Sequence, residues 1–161
     1  MRSGGRAGTG RMMRTYTRTT ALVVLVAAFS FLLAGCIASG PSGQERAERL
    51  VLELESSDLG VSEASAEYST SISSTMVLRI TLDDSVVASG ALSAAKLKPI
   101  LAAIGRGTQE MRLGSMDLFA KDAGGKEVSL AVAADELGLT DSVDGKSLVL
   151  VQADLREIRA W

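Results

Sequence analysis

Residues 75–83 read TMVLRITLD. Met76, Leu78, Ile80 and Leu82 alternate with Val77, Arg79 and Thr81, and this period of two, rich in β-branched side chains, predicts a strand with one apolar face. Just upstream, VSEASAEYS (61–69) sets Val61, Glu63, Ser65 and Glu67 against Ser62, Ala64, Ala66 and Tyr68. The serine-rich stretch between the two runs reads as a turn, so they are expected to form a hairpin.

The flanks of that hairpin carry helical patterns. In QERAERLVLELESSDLG (44–60), Ala47, Leu50, Val51 and Leu54 recur at helical spacing among Glu45, Arg46, Glu48, Arg49 and Glu53, which predicts a helix from about Gln44 to Ser57. LVLELE also alternates, so a strand is the rival there, and Gly60 ends the pattern. In ALSAAKLKPILAAIG (91–105), Leu97, Ile100, Leu101 and Ile104 share one face and Gly105 is a plausible stop. Pro99 leaves two placements open: inside a helix capped by Ser93, where it would kink it, or at the first position of a later one.

Further on, EMRLGSMDLFAKD (110–122) and KEVSL (126–130), joined through Gly124 and Gly125, predict a second hairpin. Leu130, Ala133, Ala134 and Leu137 predict a short helix ending at Gly138. SLVLVQ follows the turn DSVDGK as a last strand, and ADLREIRAW is open between strand continuation and a helical turn. The expected order is αββαββαβ. A two-layer α+β domain buries these patterns, with a mainly antiparallel sheet and helices on one face, ferredoxin-like by analogy of element order alone.

At 161 residues and 47% hydrophobic, the chain has room for one such domain. Its charge is unevenly distributed. Of the 17 basic residues, Arg2, Arg6, Arg11, Arg14 and Arg18 lie in residues 1–35 with no acid, leaving 12 against all 19 acidic residues in the remainder. A domain this acidic repels a phosphate backbone, so nucleic acid is not an expected partner.

The basic stretch runs into ALVVLVAAFSFLLAG (21–35), which carries no charge, and then into the chain's single cysteine, Cys36. This is the basic and apolar arrangement of a secretory signal. Its end, Leu33-Ala34-Gly35-Cys36, resembles a bacterial lipobox. The resemblance implies cleavage between Gly35 and Cys36, a diacylglyceryl thioether on Cys36 and acylation of the new amino terminus, the palmitate-type anchor of a lipoprotein. Residues 1–35 would then be signal peptide, 36–43 a flexible tether and 44–161 the domain. The rival is an uncleaved anchor, for which residues 21–38 fall just short of the roughly 20 needed to cross a bilayer. Both readings place the domain on the extracytoplasmic face of the cell membrane. The Ala, Val, Gly and Arg bias resembles that of a high-GC bacterium.

With no histidine and one thiol, the chain has no Ser-His-Asp triad, histidine metal site or internal disulfide. Ser93-Ala94-Ala95-Lys96 matches the S-x-x-K of penicillin-binding proteins and β-lactamases, where one helical turn brings lysine to the serine hydroxyl. The partner motifs S-D-N and K-T-G are missing, so Ser93 is expected as an N-cap and Lys96 as a solvated side chain. Asp83 and Asp84 would point to opposite faces of a strand and read as a turn. Asp141 and Asp144 do not reproduce an EF-hand loop, and Gly124–Glu127 reads as a turn rather than a phosphate loop.

Catalytic, metal and cofactor sites are therefore not expected. The expectation is a lipoprotein that displays a small acidic domain, held to the membrane by lipid on Cys36 and binding a protein of the cell envelope. The rival functions are a small-ligand or lipid carrier and a Ser93/Lys96 hydrolase. A contiguous apolar cavity would favour the carrier, and a filled core with a bare sheet face or strand edge a protein contact.

Overall fold

In the computed structural model, residues 41–161 are described. Gly35, Cys36 and the expected signal peptide lie outside the described residues. The first helix, α1 (Gly43–Ser56), begins at a capping box in which Ser42 Oγ accepts from the Glu45 N–H at 3.2 Å and Glu45 Oε2 accepts from the Ser42 N–H at 2.6 Å. It returns antiparallel to β1 (Val61–Thr70), which pairs with β2 (Ser74–Leu82) as the expected hairpin.

After β2, Val86 N–H donates to the Asp83 carbonyl at 3.0 Å, so Asp83 and Asp84 sit in a turn. A small hairpin follows, β3 (Val87–Ala88) and β4 (Ala91–Leu92), with Ser89 and Gly90 both at positive φ. That backbone is what a two-residue primed turn demands. The second helix, α2 (Ala94–Gly107), contains Pro99. It leads to β5 (Leu113–Asp122), then the short α3 (Ala131–Glu136), a 3-10 turn (Thr140–Ser142), β6 (Val143–Asp144), β7 (Ser147–Val151) and α4 (Gln152–Ile158). The ambiguous C-terminal stretch is thus helical.

The sheet order is β1-β2-β5-β7-β6. One expectation is refined here and one corrected. The sheet is mixed: β1–β2, β5–β7 and β6–β7 are antiparallel, in line with a mainly antiparallel sheet, but β2 and β5 are parallel neighbours from Ser74↔Leu113 to Leu82↔Asp122. Helix α2 carries the chain back to the starting end of β2 before β5 begins, and a crossover of this kind enforces parallel pairing. The second hairpin shrinks to a turn. Gly125 at φ 80 reverses the chain, Lys126 N–H finds Asp122 Oδ1 at 2.8 Å, and Lys121↔Glu127 is the one bridge before the segment leaves the sheet. Ser129 bonds instead with Gly90 and Leu92, and β7 occupies the place beside Ser115–Leu118. The expected αββαββαβ order is replaced accordingly.

One face of the sheet is buried. Met76, Leu78, Ile80 and Leu82 of β2, Met116, Leu118 and Ala120 of β5, and Leu148 and Leu150 of β7 are at most 4% exposed. They form one core with Leu50 and Leu54 of α1, Leu97, Ile100, Leu101 and Ile104 of α2, Ala133 and Ala134 of α3, and Leu155 and Ile158 of α4. The helices therefore lie on one side, and the domain is two-layered α+β.

Candidate functional site

The opposite face of the sheet carries no helix. Register places Ser65, Arg79 and Phe119 in one row across β1, β2 and β5, and Glu67, Val77, Asp117 and Val149 in the next. Alternation follows from the pleat: each residue between two core residues of a strand must face outward. Phe119 is 38% exposed. The Arg79 guanidinium lies over its ring, 5.8 Å from the centroid, and Arg79 Nη1 pairs with Glu67 Oε2 at 3.3 Å. A cation held between a ring face and a carboxylate keeps both side chains flat on the sheet.

Beside this cluster a groove of about 580 Å³ opens towards the β6–β7 turn, lined by Arg79, Phe119, Lys121, Glu127, Asp144 and Lys146 among others. Lys146 Nζ pairs with Glu127 Oε2 at 3.6 Å, and Ser147 Oγ donates to the Asp144 carbonyl at 2.8 Å. Gly145 at φ 62 makes the turn that brings Asp144 and Lys146 to this rim. The groove combines both signs of charge with one aromatic ring.

The free edge of the sheet at β1 is guarded. Gln44 Oε1 accepts from Tyr68 N–H at 3.1 Å, Gln44 Nε2 donates to the Ala66 carbonyl at 3.5 Å, and Glu55 Oε1 accepts from Ala64 N–H at 2.8 Å. These three α1 contacts occupy backbone groups that an added strand would need. On the core-facing side of β1, hydrogen bonds from the Ser74 and Thr70 hydroxyls hold the Tyr68 phenol below its usual value of 10.0.

The remaining sequence candidates are dispersed. Ser93 occupies the N-cap of α2, but its hydroxyl makes no capping bond, which corrects the expected role. Its carbonyl accepts from Lys96 and Leu97 N–H, and Ser93 and Lys96 are both exposed with no bond joining their side chains. Asp141 lies in the 3-10 turn and Asp144 in β6. Among the described residues no three His, Cys, Asp or Glu side chains converge on a point suited to a metal.

Sequence reasoning did not single out Arg79, Glu67 and Phe119 as a cluster. The signal was available for Arg79, a charge at the outward position of an otherwise apolar strand. The β2–β5 register that adds Phe119 was not. The chain matches no protein-family model, no curated protein and no solved structure.

Proposed function

We propose that this chain is a lipoprotein anchored through Cys36 at the extracytoplasmic face of the cell membrane, and that its domain binds another envelope protein through the open face of the sheet. The observation that carries the binding part is the one-sidedness of the sheet, with Phe119, Val77 and Val149 outward and the Arg79–Glu67 pair beside them. Aromatic rings and arginines are the residues that most often anchor a protein contact. The carrier reading would need open space between sheet and helices, and that layer is filled by side chains at most 4% exposed. The Ser93/Lys96 hydrolase reading would need the two side chains to meet. The ferredoxin-like comparison was by element order alone, and the observed order differs from the expected one, so it adds nothing to the function.

The test is the double substitution Arg79→Glu with Phe119→Glu in the full chain. Both side chains are outside the core, so the melting midpoint should move little. Cross-linking in intact cells should then lose a protein adduct that the unaltered chain forms. An adduct retained at full yield in a folded variant would refute the face as the contact.

A further inference from the structure

The two ends of the domain differ, and the end that receives the tether has an unusual surface. Pro41 and the start of α1 lie at this pole, where the Tyr68 ring packs so closely on Gly43 that a side chain there would overlap it. Tyr68 is followed by the turn Ser71–Ser73, so the β1–β2 tip projects from the same pole. Strand β5 begins there as well, since Ser74 pairs with Leu113 and Ser73 approaches Gly114. The segment joining α2 to β5 is fixed at this end by the Arg46–Glu110 ion pair, and Arg46 Nε also donates to the Pro41 carbonyl at 3.1 Å.

Three properties coincide on this pole. Ile72 at the tip is 105% exposed, more than any other large apolar residue among those described, and Ser69 to Thr75 around it carry no charge. Val151, paired with Ser115 at the start of β5, adds a second apolar side chain, 49% exposed. Arg106 in the last turn of α2 and Arg112 just before β5 are exposed on the connecting segment, and Arg159 Nη2 donates to the Thr108 carbonyl there at 2.9 Å. The turns at the opposite pole carry Asp58, Asp83, Asp84, Asp122 and Asp144 against Lys126 and Lys146, and so stay net acidic. An acidic domain thus has an arginine-bearing, apolar-tipped end where its tether begins.

We propose that this pole rests on the anionic lipid surface to which the chain is anchored, with Ile72 dipping into the headgroup layer and Arg106 and Arg112 meeting lipid phosphates. The proposal rests on the membrane anchor at or near Cys36. From Cys36 to Ser42 the chain can span only about 20 Å fully extended, so the pole stays within reach of the headgroups. Arginines near an anionic bilayer are attracted over about one Debye length, and a bare aliphatic side chain gains by leaving water. The acidic pole is repelled by the same surface. The strands then stand away from the membrane, and the open sheet face is presented sideways to a neighbouring protein.

The test uses the full chain reconstituted into vesicles of phosphatidylcholine with phosphatidylglycerol and a brominated phospholipid as quencher. In a Trp161→Phe background, tryptophan is placed by Ile72→Trp or by Ser85→Trp in the turn at the opposite pole. The fluorescence at position 72 should be quenched at least about threefold more than at position 85, a preference that Arg106→Glu with Arg112→Glu, or vesicles of phosphatidylcholine alone, should reduce towards equality. Equal quenching at the two positions on anionic vesicles, or stronger quenching at 85, would overturn the proposal. A preference unchanged by both the arginine substitutions and the neutral lipid would overturn the assignment to anionic lipid. Peptide mass at Cys36 reports lipid attachment separately. If Cys36 proves unmodified, the lipid-anchor reading fails on that measurement, and the quenching ratio of the chain that remains with the vesicles still decides the orientation.

Discussion

Gly105 shows how a single position can reverse a general rule. In an exposed helix, replacing glycine by alanine gains about 1 kcal/mol through backbone entropy. Here a Cβ would stand 2.8 Å from the Ile158 carbonyl oxygen, which is backbone and cannot swing aside. Overpacking costs about 1–3 kcal/mol. Gly105→Ala is therefore expected to lower the urea midpoint, and a raised midpoint would show that α4 does not seat on α2 this closely. The sequence marked Gly105 only as a helix stop. The helix runs on to Gly107, because the glycine serves the approach of α4 rather than a reversal of the chain. Ser42 carries a legible signal as well: Ser-x-x-Glu at 42–45 is a capping-box pattern, and it starts α1 within the stretch expected as the tether.

Among the elements, α2 carries a defect that predicts its own repair. Pro99 lies beyond the first turn, so its missing N–H removes a bond to the Ala95 carbonyl and its ring crowds that group. Pro99 is exposed, hence Pro99→Ala should stabilise the domain by about 1–3 kcal/mol, read as a raised midpoint with an unchanged urea slope. A loss of stability would mean that the proline is needed for packing. The helices and the long strands were readable because their apolar periods are unbroken: Leu97, Ile100, Leu101 and Ile104 for α2, and Met76 to Leu82 for β2. Their partnerships were not. Periodicity assigns a face to each strand but does not say which strand lies beside it, so the parallel pairing of β2 with β5 was invisible. KEVSL has strand composition, yet Ser129 N–H donates to the Gly90 carbonyl and the Ser129 carbonyl accepts from Leu92 N–H, which draws it off the sheet. The β3–β4 hairpin had a local signal, Ser-Gly between VVA and AL, that can be read from the sequence.

At the scale of the whole molecule, the proposed anchor at Cys36 makes predictions of its own. Cys36→Ala should abolish incorporation of a fatty-acid analogue and leave the precursor uncleaved, measured by gel shift and mass. Normal maturation of that variant would refute the lipobox reading. Two acyl chains or more hold durably where one holds marginally, so a processed chain should remain with membranes through a salt wash. The candidate face was only half visible in the sequence: the outward row of β2 could be read from alternation, but not its union with Phe119. The central claim, that the bare sheet face is where a protein partner sits, is tested most directly by a photo-cross-linking side chain at position 119, compared with one at Val132 on the helical layer, which is 63% exposed. Adducts of defined mass from position 119 and not from 132 in intact cells are the predicted result; equal adducts from both, or adducts from 132 alone, would contradict it.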